Sequence, residues 1–325
     1  MLLQRLATSA VLIGVITGLI FLDARYPLAG IGGLWLMPAL ACFALGTAWD
    51  MTSLMRSSGR LLSAPAALTA TATVSFSACV PWLWPLLGQT YPLDCPIGRL
   101  GWLVVGSVMA IFGILVVEMV HFGKPVPAAA VPVEKTHSAT IERTSSALFV
   151  SLYVGLPMAL MVVLRTMGEG LWGLAALLTM IAVTKSADAG AYFTGKALGR
   201  HKLIPRLSPG KTVEGAVGGI VVATIVAFVC LRYLFPAIAD GAQVSTSPPA
   251  IAALVSDWWG ACVLGPMLAA AGMVGDLAES LIKRDAGAKD SGKWLPGLGG
   301  VWDVTDSLLA AILPAFLCFA AGVAN

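Results

Sequence analysis

The chain has 325 residues, of which 58% are hydrophobic and 11% charged, and a formal net charge of +3. A soluble domain carries roughly a quarter of its residues as charges, so the composition excludes an ordinary water-soluble enzyme and predicts an all-α integral membrane protein. The six cysteines, at 42, 79, 95, 230, 262 and 318, lie mostly in apolar runs without paired CxxC spacing, which suggests neither a zinc site nor a disulfide framework.

In chain order, apolar runs long enough to cross a bilayer as helices are predicted at 7–23, 29–49, 64–88, 100–120, 146–164, 169–184, 214–236, 258–275 and 305–323, the sixth and eighth being short. The first resembles a secretory signal in having a basic residue before its apolar stretch, but its length and the spans that follow favour a membrane helix. Residues 1–184 form a region of N-terminal transmembrane helices with little chemistry, rich in the small residues that let helices pack in lipid. Trp82, Trp84 and Trp102 near span ends are read as interfacial anchors. Glu118 and His121 are read as residues near the interface, and 123–135 as a Pro-rich linker.

Basic residues in short loops stay on the cytoplasmic side. With nine spans, Arg25, Arg99, Arg165 and Arg232 fall on one side and the other sixteen of the 20 basic residues on the opposite one. This places the N-terminus and both charged segments of the second half, around 185–214 and 276–307, in the cytoplasm. Residues 185–325 are therefore the candidate catalytic region, because ionisable groups near membrane depth are costly and usually functional.

Within 276–307, Asp276, Ser280 and Lys283 stand at i, i+4 and i+7, and Asp303, Asp306 and Ser307 at i, i+3 and i+4, so each set shares one helical face. The Gly- and Pro-containing stretch 292–300 breaks the chain between them. Carboxylates on facing helix ends beside many cations suit a divalent metal with phosphate groups. In the sixth loop, Ser208 and Pro209 predict a helix start, whose first amides with Lys211 and Thr212 would bind an anion. A phosphate-binding P-loop is excluded, since its pattern needs glycine where this chain has Pro205 and needs a preceding strand.

The stretch SLIKRDAGAKDSGKWLPGLGGVWDVTDS (280–307) resembles the signature of the phosphatidate cytidylyltransferases, the membrane enzymes that make CDP-diacylglycerol. Residues 188–219 are similar to a second stretch of the same family, with Asp188, Ala191-Tyr192, Gly195-Lys196 and Ser208-Pro209-x-Lys211-Thr212-x-Glu214-Gly215. The resemblance is specific over about 185–320. Two positions depart from it: Leu298 stands where the family has histidine, and Val304 where it has arginine.

The resemblance implies that a phosphate oxygen of phosphatidic acid attacks the α-phosphorus of CTP and expels pyrophosphate. It implies one or two Mg²⁺ ions on Asp276, Asp303 and Asp306, with Asp290 next. Lys211, Lys283, Arg284 and Lys289 would hold phosphates, while Asp188, Tyr192, Ser208, Thr212 and Glu214 would line the substrate site. For Glu214, stabilisation by the helix dipole is an equal alternative. Glu279, Asp285 and Lys293 are read as solvated or in local ion pairs. A multi-pass protein of the bacterial inner membrane is expected, with lipid tails entering between helices, a homodimer through membrane helices possible by resemblance, and no nucleic-acid partner. The competing readings are a transporter of an anionic solute, a paralogue with another lipid phosphate, and a family member without turnover.

Overall fold

The structure, a computed structural model, describes residues 2–92, 94–122, 139–168, 170–239, 257–292, 294–297 and 299–324. The Pro-rich stretch 123–135, Lys293 and Leu298 lie outside the described residues. The described residues are mostly helical: α1 (Leu2–Arg25), α2 (Met37–Ser57), α3 (Ala64–Ser77), α4 (Leu83–Leu86), α5 (Gly98–His121), α6 (Ala139–Arg165) and α7 (Trp172–Leu198) precede a hairpin of β1 (Lys202–Ile204) and β2 (Ser208–Thr212). Then come α8 (Val213–Val229), a π-turn (Cys230–Leu234), α9 (Phe235–Ala239), α10 (Asp257–Asp285) and α11 (Trp302–Ala320).

Among the described residues eight helices are long and apolar enough to cross a membrane, and a bent pair would make nine. That pair, Ala64–Ser77 and Val80–Leu86, is the predicted third span, bent by 54°. Pro81 lies in the first turn of the second segment, just past the break at Ala78 and Cys79, where a residue without an N–H cannot extend the ladder of the preceding helix. The two spans predicted as short are instead α7 and α10, of 27 and 29 residues. Their polar ends, 185–198 and 276–285, continue the helix, so much of the charge predicted for loops is carried on helix faces.

The hairpin corrects the helix predicted from Ser208 and Pro209. Lys202 pairs with Thr212 and Ile204 with Ser208, and the helix begins only at Val213, with the Thr212 hydroxyl accepting from the Gly215 amide at 3.1 Å. The N-cap works as predicted from residue type, but at the threonine four residues on. Trp82 is also corrected: it is buried with Ile31, Ala78 and Leu103 rather than set at an interface. Glu118 is buried and paired with Arg143 at 2.8 Å.

The two larger of three buried clusters among the described residues organise the bundle. One joins α7, α8, α10 and α11 around Met180, Leu264 and Ile312. The other joins α2, α3, α5 and α6 and takes in Trp302 and Leu309 of α11. Where α8 crosses α7, a Cβ on Gly215 or Gly219 would press on the Ala191 or Ala187 carbonyl, so glycine permits the close approach. Against α2, the Thr47 and Thr305 hydroxyls lie 2.8 Å apart. Asp50, buried near the end of α2, accepts hydrogen bonds from the Val301 amide at 2.5 Å and the Trp302 amide at 3.2 Å. These are amides left without partners in the first turn of α11, and a carboxylate there also meets the positive end of the helix dipole.

The first helix is held differently. At one end the Asp23 carboxylate accepts from the Arg165 guanidinium at 2.6 and 2.9 Å and from the Gly33 amide at 2.6 Å, all buried. At the other, the Thr8 hydroxyl lies 2.9 Å from the Pro296 carbonyl, which shares it with the Gln4 carbonyl. Between these pins its residues are mostly exposed.

Candidate active site

The site is assembled where α7, the hairpin, α10 and α11 meet. On α10, Asp276 and Glu279 stand at i and i+3 and share a face. Carboxylate oxygens of these two and of Asp306 on α11 all lie within 4.8 Å of one another. Glu279 and Asp306 are buried, whereas Asp276 is half-buried. Glu279 Oε1 lies 3.1 Å from Lys283 Nζ, yet outside hydrogen-bonding geometry with any partner. Three crowded carboxylates repel one another, and a buried oxygen without a hydrogen bond is costly. A divalent cation with oxygen ligands would relieve both. The donor set therefore fits a hard metal ion.

Asp303, expected as a metal ligand, is not in that group. Its carboxylate accepts from Lys283 Nζ at 2.8 Å, Ser291 Oγ at 2.7 Å and the Gly300 amide at 2.7 Å. With these oxygens occupied, Asp303 braces the loop between α10 and α11 and holds Lys283 beside Glu279. A Cβ on Gly300 would overlap Ser291 Oγ and the Asp50 carboxylate, and one on Gly292 would overlap Asp50 as well. The glycines of this loop thus make room for the carboxylate beneath them.

A cavity of about 460 Å³ opens beside the acidic group, lined by Asp188, Tyr192, Lys196, Ser208, Lys211 and Asp276 among others. Lys211 Nζ is 2.8 Å from Asp276 Oδ2. Asp188 accepts from Ser307 Oγ at 3.0 Å and lies within electrostatic reach of Asp276 and Lys211. Tyr192 is exposed at the rim, with Lys196 Nζ 5.9 Å from its ring centre. The space holds cations, carboxylates and hydroxyls facing one another, as a triphosphate with its metal requires.

Several expected site residues stand elsewhere. Arg284, in the last turn of α10, and Lys289 and Asp290 beyond it are exposed, with Arg284 donating to the Ala288 carbonyl at 3.4 Å. A helix presents one face inward, and at i+1 from Lys283 the Arg284 side chain points away. Glu214 accepts from the Arg200 amide at 3.0 Å and from His201 Nδ1 at 2.6 Å, so it closes the hairpin outside the cavity. Thr212, by contrast, does line the cavity, with its hydroxyl engaged in the cap. In the other direction, Glu279 is buried in the cluster rather than solvated, although its local pair with Lys283 is present. Asp50, Ser291 and Lys185 were not read as site residues. Lys185 at i−3 from Asp188 was the one with a local signal.

The fold and site define a polytopic membrane protein that presents a cluster of three carboxylates beside a cavity lined by both lysines and aspartates. The chain belongs to the cytidylyltransferase family, whose family model matches residues 3–321. It is similar to the phosphatidate cytidylyltransferase of Brucella suis biovar 1 (strain 1330), 34% identical over 251 residues, which cover 77% of this chain and 76% of that protein. The phosphatidate cytidylyltransferase of Haemophilus influenzae (strain ATCC 51907 / DSM 11121 / KW20 / Rd) is 37% identical over 147 residues, 45% of this chain and 46% of its own. That of Bacillus subtilis (strain 168) is 36% identical over 159 residues, 49% and 52%.

Proposed function

We propose that the chain is a CTP:phosphatidate cytidylyltransferase of the bacterial inner membrane, with its site on the cytoplasmic face. A phosphate oxygen of phosphatidic acid bonds to the α-phosphorus of CTP, the bond from that phosphorus to the bridging oxygen breaks, and the electron pair leaves with pyrophosphate. The products are CDP-diacylglycerol and pyrophosphate. The observation that carries this reading is the acidic group of Asp276, Glu279 and Asp306 opening on the cavity that holds Lys211, within a chain whose relatives bear that name.

Nucleotidyl transfer depends mostly on positioning and charge neutralisation. Asp276, Glu279 and Asp306 would hold a divalent cation, proposed as Mg²⁺, which when bound supplies charge neutralisation at the phosphates. Lys211 and Ser208 bind the triphosphate from the hairpin side. Lys283 balances the Glu279 and Asp303 charges and keeps the α10 face aligned with α11. Asp188 and Ser307 orient the basic side chains between the two helices. Family membership does not favour a transporter or a protein without turnover.

Pyrophosphate release by purified protein with CTP, phosphatidic acid and Mg²⁺ tests the reading. Release that requires lipid and metal and falls at least about 100-fold in Asp276→Asn, the scale of a lost charge contact at a phosphoryl centre, supports it. Metal-independent release, or none from folded wild type, rejects it.

A further inference from the structure

A second cavity, of about 340 Å³, runs through the membrane part of the bundle beneath this site. Its walls are apolar: Leu12, Ile16 and Ile20 of α1 face Leu177 and Ile181 of α7 across it. It exists because α1 is pinned only near its ends, by Asp23 to Arg165 and by Thr8 to Pro296, and stands off the bundle between. Along α7 the lining runs from Leu174 to Lys185, a rise of about 16 Å at 1.5 Å per residue.

The two ends of the groove differ in charge. At one end Arg165 is buried and neutralised by Asp23. At the other, Lys185 Nζ donates to the Val304 carbonyl and to Ser307 Oγ, both at 2.9 Å, and stands 3.7 Å from Asp188 Oδ2. Its side chain is 38% exposed, so an anion can reach it. Lys185 lines the groove while its ion-pair partner Asp188 lines the nucleotide-sized cavity, and the pair forms the partition between them. Val304 is where the signature resembled in the sequence carries arginine. Lys185 returns a cation to its backbone from the neighbouring helix.

We propose that this groove binds an acyl chain of the anionic phospholipid substrate, with Lys185 holding its phosphate at the partition. The proposal rests on the reading of the substrate as phosphatidic acid. A groove with an apolar length and a single accessible ammonium at one end matches a lipid whose phosphate sits at the head of its chains. It also sets that phosphate against the wall of the cavity where CTP would lie, the side from which attack on the α-phosphorus has to come.

The test uses the full chain in detergent with dioleoyl and dihexanoyl phosphatidic acid, and follows pyrophosphate release. Phosphatidic acid retained per chain without CTP is counted separately by native mass spectrometry. Ile181→Trp and Leu12→Trp fill the groove from opposite walls, and Leu12 lies on the peripheral helix, where folding tolerates the change. Each is expected to raise KM for the dioleoyl lipid about tenfold, the loss of a few buried methylenes. KM for dihexanoyl lipid and for CTP stays unchanged, and less lipid is retained. Lys185→Ala is expected to raise KM for both lipids about 10- to 100-fold, the scale of a charge-assisted contact, and Lys185→Arg restores most of the loss. Equal shifts for the two chain lengths, or unchanged retention in both tryptophan variants, overturn the groove. A Lys185→Ala effect on kcat alone overturns the headgroup contact. Wild type inactive on both lipids defeats the proposed reaction, and the retained-lipid count then decides the groove by itself.

Discussion

Replacing Asp50 by alanine removes the acceptor for two amides at the start of α11. Asp50 is 2% exposed, and the packing of Gly292 and Gly300 around it leaves little room for water to take its place. Each buried N–H left without a partner costs about 1–3 kcal/mol, so the variant should lose about 2–6 kcal/mol. Asp50→Asn keeps one acceptor oxygen and should lose less. Thermal unfolding in detergent, followed by tryptophan fluorescence, should show a midpoint lower by on the order of 10 °C for alanine. Turnover should fall about 100-fold even below that midpoint, because Asp306 rides on α11 and small misplacements of a catalytic group carry that penalty. An alanine variant with the wild-type midpoint and wild-type turnover would refute the assignment of Asp50 as the partner of this helix end.

Glu279→Gln should weaken Mn²⁺ binding, read by electron paramagnetic resonance of the free ion, by about tenfold or more as an anionic ligand is lost, while the fold survives. At the opposite end, Arg165→Met strands a buried Asp23 and should destabilise by about 3–5 kcal/mol. The double variant Asp23→Leu with Arg165→Met should recover much of that loss in the same unfolding assay. Gly300→Ala forces a methyl onto Ser291 and Asp50 and should lower both stability, by about 1–3 kcal/mol, and turnover, whereas Gly59→Ala, which meets open space at a positive φ, should leave turnover intact.

The membrane spans were legible because an apolar run of about twenty residues has one cheap solution in lipid. What failed was their length. Apolarity stops at Thr184 and Gly275, but the polar residues beyond still suit a helix, so α7 and α10 run on and carry the chemistry with them. Asp276 and Asp306 stood out because helical spacing aligns each with its neighbours. Glu279 has the same spacing, but nothing local distinguishes a buried glutamate from a solvated one near an interface. Asp50 left no trace in its own neighbourhood, since its partners lie 251 and 252 residues away. At Ser208 and Pro209 the local capping signal was real, and the pairing closed by Glu214 on His201 overrode it.

The bond between Asp50 and the start of α11 has a consequence for the order of biosynthesis. Synthesis runs from the N-terminus, so α2 is made with its carboxylate without these partners until α11 is made. Asp50 stands about two turns before the end of α2, and its carboxylate meets these partners only when the Val301 and Trp302 amides arrive. The same arrival delivers Asp306 to Asp276 and Glu279. For this chain, completing the membrane bundle and switching on the acidic centre are one event.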